Sequence, residues 1–111
     1  MTESSVVKEI EMALKEHDIV VFMKGTPRMP MCGFSGFACQ VLNHFGVDFH
    51  GVNVLEDEAL RQGIKDYTNW PTIPQLYVKG DFIGGADIMR DMYESGELKT
   101  LLEEKGLLNA A

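Results

Sequence analysis

The stretch Ile19-Val20-Val21-Phe22-Met23-Lys24-Gly25-Thr26-Pro27-Arg28-Met29-Pro30-Met31-Cys32-Gly33-Phe34-Ser35 passes from a strand through a loop into a helix. Its first five residues are an unbroken apolar run rich in β-branched side chains, the pattern of a strand buried on both faces. Lys24 to Met31 contains Gly25, Pro27 and Pro30, which reads as a loop. Phe34, Phe37, Ala38, Val41, Leu42 and Phe45 then follow helical spacing, with Gly46 as the C′ residue. Cys32 is thereby expected at the first turn of a helix, at the positive end of its macrodipole and beside unpaired N–H groups. Such a thiol has a lowered pKa and acts as a nucleophile or a soft metal ligand.

Cys32-Gly33-Phe34-Ser35 is a CxxC-type redox site whose second thiol is replaced by a hydroxyl. It cannot close an intramotif disulfide, which favours glutathione chemistry or shared metal ligation over dithiol reduction. Cys39 is no substitute partner. Seven residues of helix rise about 10.5 Å, and a disulfide needs Cα atoms within roughly 7 Å. Cys39 reads as a small helix residue.

Working outward, Phe49 to Val54 reads as a second strand, so that strand, helix and strand form a right-handed parallel βαβ unit. Before it, Val6, Val7, Ile10, Ala13 and Leu14 mark a helix capped by Ser4 or Ser5 and ended by His17-Asp18. After it, Asp57 caps a short helix running to about Tyr67. Gln75-Leu76-Tyr77-Val78 and Asp81-Phe82-Ile83 flank Lys79-Gly80, a hairpin signal. Helices are expected from about Ala86 to Glu94 and from about Glu97 to Lys105, separated by Gly96 and stopped by Gly106. The order α-βαβ-α-ββ-αα predicts an α/β, thioredoxin-like fold: one domain over 1–111, with a four-stranded mixed sheet flanked by helices on both faces.

Composition bounds the partners. A chain of 111 residues, 45% hydrophobic, supports one core. No apolar run approaches the roughly 20 residues that span a bilayer, so no membrane insertion is expected. Met1 to Glu16 has neither the apolar centre of a secretory signal nor the arginines of a transit peptide. An intracellular, cytoplasmic protein is expected, and an organellar mature form stays compatible. A formal charge of −7 argues against non-specific nucleic-acid binding and leaves protein partners open. His17, His44 and His50 lack metal-ligand spacing and read as surface or strand-end residues. The methionines are scattered and read as packing; Met29 and Met31 flank the Cys32 loop and are candidates to face a partner.

Four motifs in order make the chain resemble a monothiol glutaredoxin of the CGFS class from about Val6 to Gly106: Lys24-Gly25-Thr26-Pro27, Cys32-Gly33-Phe34-Ser35, Trp70-Pro71-Thr72-Ile73-Pro74 and Gly84-Gly85-Ala86-Asp87. The long loop between Lys24 and Cys32, and Trp70-Pro71, resemble this class rather than dithiol glutaredoxins. Many relatives carry a cysteine where this chain has Ala86. Its absence removes a candidate disulfide partner for Cys32 and leaves cluster ligation by the motif cysteine unaffected.

The resemblance implies roles residue by residue. Cys32 is the catalytic thiol and the metal ligand. Lys24 faces the thiolate and, with Arg61, the glycyl carboxylate of glutathione. A cis Pro74 lets the Ile73 backbone pair with the cysteinyl part of glutathione. The N–H groups of Ala86 and Asp87 take the γ-glutamyl carboxylate, and the Asp87 carboxylate takes its ammonium. Taken as ordinary residues, Lys24 and Arg61 are solvated cations, Pro74 is a turn proline and Asp87 is an N-cap. Ser35 either donates toward the thiolate or serves the helix start.

A [2Fe-2S] cluster needs four ligands, commonly thiolates, and one chain offers one well-placed cysteine. Two chains and two glutathiones complete the set, which matches the cluster-bridged homodimer the resemblance implies. Its implied role is transfer of clusters to apo iron-sulfur client proteins, with a BolA-type protein as a further partner. The alternative is a weak glutathione-dependent thiol-disulfide oxidoreductase working by a monothiol mechanism. A redox adaptor or sensor is a third reading.

Overall fold

A computed structural model describes residues 2–108, with side chains from Ser5 onward. Strands β1 (Ile19–Met23), β2 (His50–Asn53), β3 (Gln75–Val78) and β4 (Asp81–Gly84) form one sheet in the order β2-β1-β3-β4. β1 pairs with β2 in parallel, and β3 pairs antiparallel with both β1 and β4. Helices α1 (Thr2–Glu16), α2 (Gly33–Phe45), α3 (Glu58–Thr68), α4 (Ala86–Ser95) and α5 (Glu97–Glu104) cover it. This is the thioredoxin-like mixed sheet that the sequence implies.

The central strand explains the layering. Side chains alternate across a strand, and every residue of β1 is buried. Ile19, Val21 and Met23 pack with Ala38 and Leu42 of α2, Met89 of α4 and Leu98 and Leu102 of α5. Val20 and Phe22 pack on the other face with Ile10 of α1 and Leu60 and Ile64 of α3. A strand covered on both sides has no polar face, hence its unbroken apolar run.

Local chemistry fixes the element ends. The Asp57 carboxylate accepts from the Leu60 N–H at 3.1 Å and starts α3. Lys79 (φ 52) and Gly80 (φ 83) form the two-residue turn between β3 and β4, with both residues left-handed as a type I′ turn requires.

Two boundaries differ from those expected. α1 begins at Thr2, so Ser5 lies inside the helix instead of capping it; the side chain of Ser4 is outside the described residues. An apolar stripe marks only the buried part of a helix, and α1 extends beyond its stripe. β2 stops at Asn53 because Val54–Glu56 turns into a single 3₁₀ turn. The Asn53 carboxamide oxygen accepts from the N–H groups of Leu55 and Gly25, each at 3.0 Å. One side chain thus starts the 3₁₀ turn and ties the end of β2 to the loop after β1. Among the described residues, no helix is long and apolar enough to cross a membrane.

Candidate functional site

The loop after β1 is folded tightly on itself. Gly25 bridges to Pro30, and the Met31 N–H donates to the Lys24 carbonyl at 2.9 Å. Gly25 has φ 91, and a Cβ there would stand 2.5 Å from the Met29 carbonyl oxygen. Only glycine fits that turn. The loop delivers Cys32 to the N-cap of α2 in an extended conformation (φ −151, ψ 139), with no capping bond from its side chain. The thiol is left free to react.

Its pKa is lowered. The Ser35 N–H stabilises the thiolate most; partial burial opposes it, and the Phe34 N–H, the Lys24 charge and the Ser35 hydroxyl add to the lowering. Ser35 is itself fully buried, and its Oγ accepts from the Lys24 N–H at 3.0 Å. The two roles open for Ser35 therefore coexist: it ties the end of β1 to the start of α2 and faces the thiolate. Cys39 is 2% exposed, its Sγ lies 3.7 Å from the Met23 Sδ, and burial pushes its thiol up. Both cysteines are free. One thiol is thus partly exposed with a lowered pKa, and the other is buried with a raised one.

Beside Cys32 opens a cleft of about 440 Å³. Lys24 and Cys32 border it, as do Arg61 and Lys65 of α3. Trp70 and Ile73 from the segment before β3 line it too, as do Ala86 and Asp87 of α4. The six residues singled out in the sequence (Lys24, Cys32, Arg61, Ile73, Ala86 and Asp87) all border this single cavity. The Ile73–Pro74 peptide is cis. Gly85 allows the start of α4 to come close, since a Cβ there would lie 3.2 Å from both the Pro74 carbonyl oxygen and the Trp70 Nε1.

Buried polar groups hold the wall and two more remain open. Gln75 is fully buried; its amide donates to the carbonyls of Trp70 and Thr72 at 3.2 Å each, and its oxygen accepts from the Thr68 hydroxyl at 3.1 Å. That network fixes the Trp70–Ile73 segment. Arg61 Nε and Trp70 Nε1 are buried without a hydrogen-bond partner. A buried unsatisfied donor costs about 1–3 kcal/mol, so two donors at the edge of one cleft are suited to an acceptor placed in it. Arg61 also stands 3.7 Å from Glu58 in an exposed pair.

Asp87 is not the N-cap of α4; Gly85 is, and Asp87 sits in the first turn with its carboxylate 3.1 Å from the Arg90 guanidinium. Lys65 and the anchor Gln75 carry no site role in the sequence reading. Lys65 had a signal, the i,i+4 spacing from Arg61 on a helix. In the segment that flanks Cys32 in the chain, Met29, Met31 and Phe34 are 68%, 65% and 61% exposed, an apolar rim on the loop and the start of α2. The imidazoles of His17 and His50 stack at 4.0 Å, and among the described residues no group of three or more His, Cys, Asp or Glu could hold a metal ion.

The arrangement defines a class: a thioredoxin-like sheet presenting one low-pKa cysteine at a helix start, above a cleft lined by a cis-proline segment. The family model described as Glutaredoxin matches residues 19–83. The chain is 54% identical over 100 residues to monothiol glutaredoxin-5, mitochondrial, of Saccharomyces cerevisiae, covering 87% of this chain and 67% of that protein. It is 48% identical to glutaredoxin-related protein 5, mitochondrial, of Danio rerio, covering 99% of this chain and 72% of that one. The solution structure of reduced poplar apo GrxS14 superposes with a TM-score of 0.85 at 43% identity, covering 95% of this chain and 97% of that one. The chain belongs to the glutaredoxin family, in its monothiol branch.

Proposed function

We propose that the cleft binds glutathione beside Cys32, and that two copies of the chain together carry a [2Fe-2S] cluster and pass it to apo iron-sulfur proteins. The observation that carries this reading is the pairing of a single reactive thiol with a cleft whose charges and open donors suit a tripeptide. Lys24 and Arg61 border one part of it and receive the glycyl carboxylate; Arg61 Nε is one of the donors without a partner. The Ile73 backbone lies along the cysteinyl part. The start of α4 and Asp87 meet the γ-glutamyl end, where a helix N-terminus favours an anion.

The donor set fits a shared cluster and not a resident one. Cys39 is buried and inert, so each chain supplies one thiolate, Cys32. Four thiolates then require two chains and two glutathiones. Lys24 and the N-terminus of α2 offset the negative charge of the cargo. Half of the ligands are exchangeable small molecules, which suits release to a client or to a BolA-type partner.

The lowered pKa of Cys32 also favours a second reading, disulfide exchange. The Cys32 thiolate attacks the glutathione sulfur of a mixed disulfide, and the protein thiolate leaves and takes up a proton. A second glutathione thiolate attacks the resulting Cys32–glutathione disulfide, oxidised glutathione departs, and the Cys32 thiolate returns.

Anaerobic reconstitution with iron, sulfide and glutathione, followed by visible absorption and size-exclusion chromatography, separates the two. A coloured, glutathione-containing dimer that becomes a colourless monomer on mixing with an apo-ferredoxin supports the carrier. A colourless monomer that rapidly deglutathionylates a test peptide supports the oxidoreductase. A Cys32→Ser variant that assembles the same coloured dimer overturns the carrier reading.

A further inference from the structure

Arg28 sits at the tip of a small hairpin. The Thr26 N–H donates to the Met29 carbonyl at 3.2 Å, the Met29 N–H donates back to the Thr26 carbonyl at 3.0 Å, and Gly25 bridges to Pro30. Pro27-Arg28 is thereby a two-residue turn, and the Met31 N–H on the Lys24 carbonyl closes the base. The tip rests on β2, since a Cβ on Gly51 would stand 2.6 Å from the Pro27 ring. The base is held there too, through the Gly25 N–H on the Asn53 carboxamide. Arg28, Met29, Pro30 and Met31 are all exposed on this fixed hairpin, and Cys32 follows directly.

Its charge runs against the composition of the chain, which has 17 acidic and 10 basic residues. No acid lies between Ile19 and Val47, the stretch that holds β1, the hairpin, Cys32 and α2. Arg61, Lys79, Arg90 and Lys105 each pair with a carboxylate, whereas among the described residues Arg28 has no ion pair. Nor does Arg28 border the cleft. A guanidinium that serves neither the fold nor the cleft, on a rigid loop ending at Cys32, is placed to meet something outside the chain.

We propose that this hairpin is a docking element for a protein whose own sulfur site is flanked by acidic residues, and that Arg28 selects that partner. This inference rests on the proposed function only in that Cys32 meets a partner's sulfur, and it names the class of client. An acidic segment meets Arg28, Lys24 and the N-terminus of α2 with the opposite sign. The exposed Met29 and Met31 add flexible apolar surface that adapts to more than one client. A second copy of the chain is a poorer match. It brings Lys24 and Arg28 against their own kind, an encounter that only an anionic cargo between the two faces offsets.

The test uses neither iron nor glutathione, so its failure is distinct from failure of the carrier reading. Three probes each present one cysteine as a neutral 2-pyridyl disulfide: a peptide with Asp on both sides of the cysteine, the same peptide with Lys there, and a second copy of the chain bearing the group on Cys32. The Cys32 thiolate attacks the cysteine sulfur of the probe, the pyridine thiolate leaves and takes up a proton as absorbing 2-thiopyridone, and a Cys32–probe disulfide remains. Each rate is divided by that of mercaptoethanol with the same probe, and the ratio of two probes is independent of how much of Cys32 is ionised. At low salt the Asp peptide is expected to react about ten-fold faster than the Lys peptide, and the second copy no faster than the Lys peptide. At about 0.5 M salt, where charges are screened beyond about 4 Å, the two peptides should converge. Arg28→Glu should shrink the low-salt ratio about three- to five-fold, and Arg28→Gln by less. Equal rates for the two peptides, or a ratio that salt leaves intact, overturn the proposal. So does a ratio that Arg28→Glu leaves intact, because Lys24 and the cleft cations then account for it. A second copy that reacts as fast as the Asp peptide also overturns it and assigns the hairpin to self-association.

Discussion

The backbone N–H of Lys24 donates to the hydroxyl oxygen of Ser35 over 3.0 Å, joining the end of the central strand to the first turn of the helix that carries Cys32. The hydroxyl that replaces the second thiol of the motif is therefore a structural clamp as well as a neighbour of the thiolate. Ser35→Ala leaves a part-buried N–H without its acceptor and is expected to destabilise the fold by about 1 kcal/mol. It should also raise the Cys32 pKa, since the hydroxyl is one of the groups that lower it. Urea unfolding and the pH profile of thiol alkylation measure the two effects separately.

The alkylation rate of the parent should follow a single titration centred below that of an unstructured cysteine, about 8.5, while Cys39 stays unmodified in the folded protein. The sign for stability follows from the lowered pKa. The folded state holds the thiolate more readily than the unfolded state, so this contribution is complete above the unfolded pKa and is lost as pH falls through the folded one. Cys32→Ser should remove that part of the pH dependence of the unfolding midpoint. An unchanged profile below the pKa of an unstructured cysteine would contradict a perturbed Cys32.

Arg61→Gln removes a guanidinium whose Nε is buried at the cleft without a partner. Loss of a charge-assisted contact should weaken glutathione binding about ten-fold. Lys24→Gln should act in the same direction and also slow Cys32 alkylation near neutral pH by taking away a positive neighbour. Calorimetry and alkylation kinetics distinguish a binding residue from one that acts on the thiolate.

The apolar rim of Met29 and Met31 is expected to matter to association and not to folding, since both side chains lie mostly in solvent. The double variant Met29→Asp, Met31→Asp should keep the parent stability to within about 0.5 kcal/mol. It should keep glutathione affinity yet fail to yield the coloured dimer after reconstitution. A dimer of normal size and yield would show that this rim faces no second copy.

Much of the fold was legible because its signals are local. The run Ile19–Met23, the Gly and Pro residues after it and the Lys79-Gly80 turn each specify structure within a few residues. The ends of α1 and β2 were not legible for opposite reasons. α1 continues past its apolar stripe, and β2 is cut short by Asn53, whose carboxamide binds Gly25, 28 residues away. The site residues lie on four separated segments, so no spacing rule joins Lys24, Arg61, Ile73 and Asp87. The motif resemblance supplied them. The Lys24–Ser35 clamp and the Gln75 network were invisible for the same reason, being pairings set by the packed chain.

The burial of Cys39 against Met23 has a practical outcome for any oxidising encounter. A molecule with two sulfhydryls behaves as a monovalent reagent, gaining one adduct per chain and linking to at most one other thiol. Oxidative polymers, which need two valences per unit, cannot grow while the core stays closed.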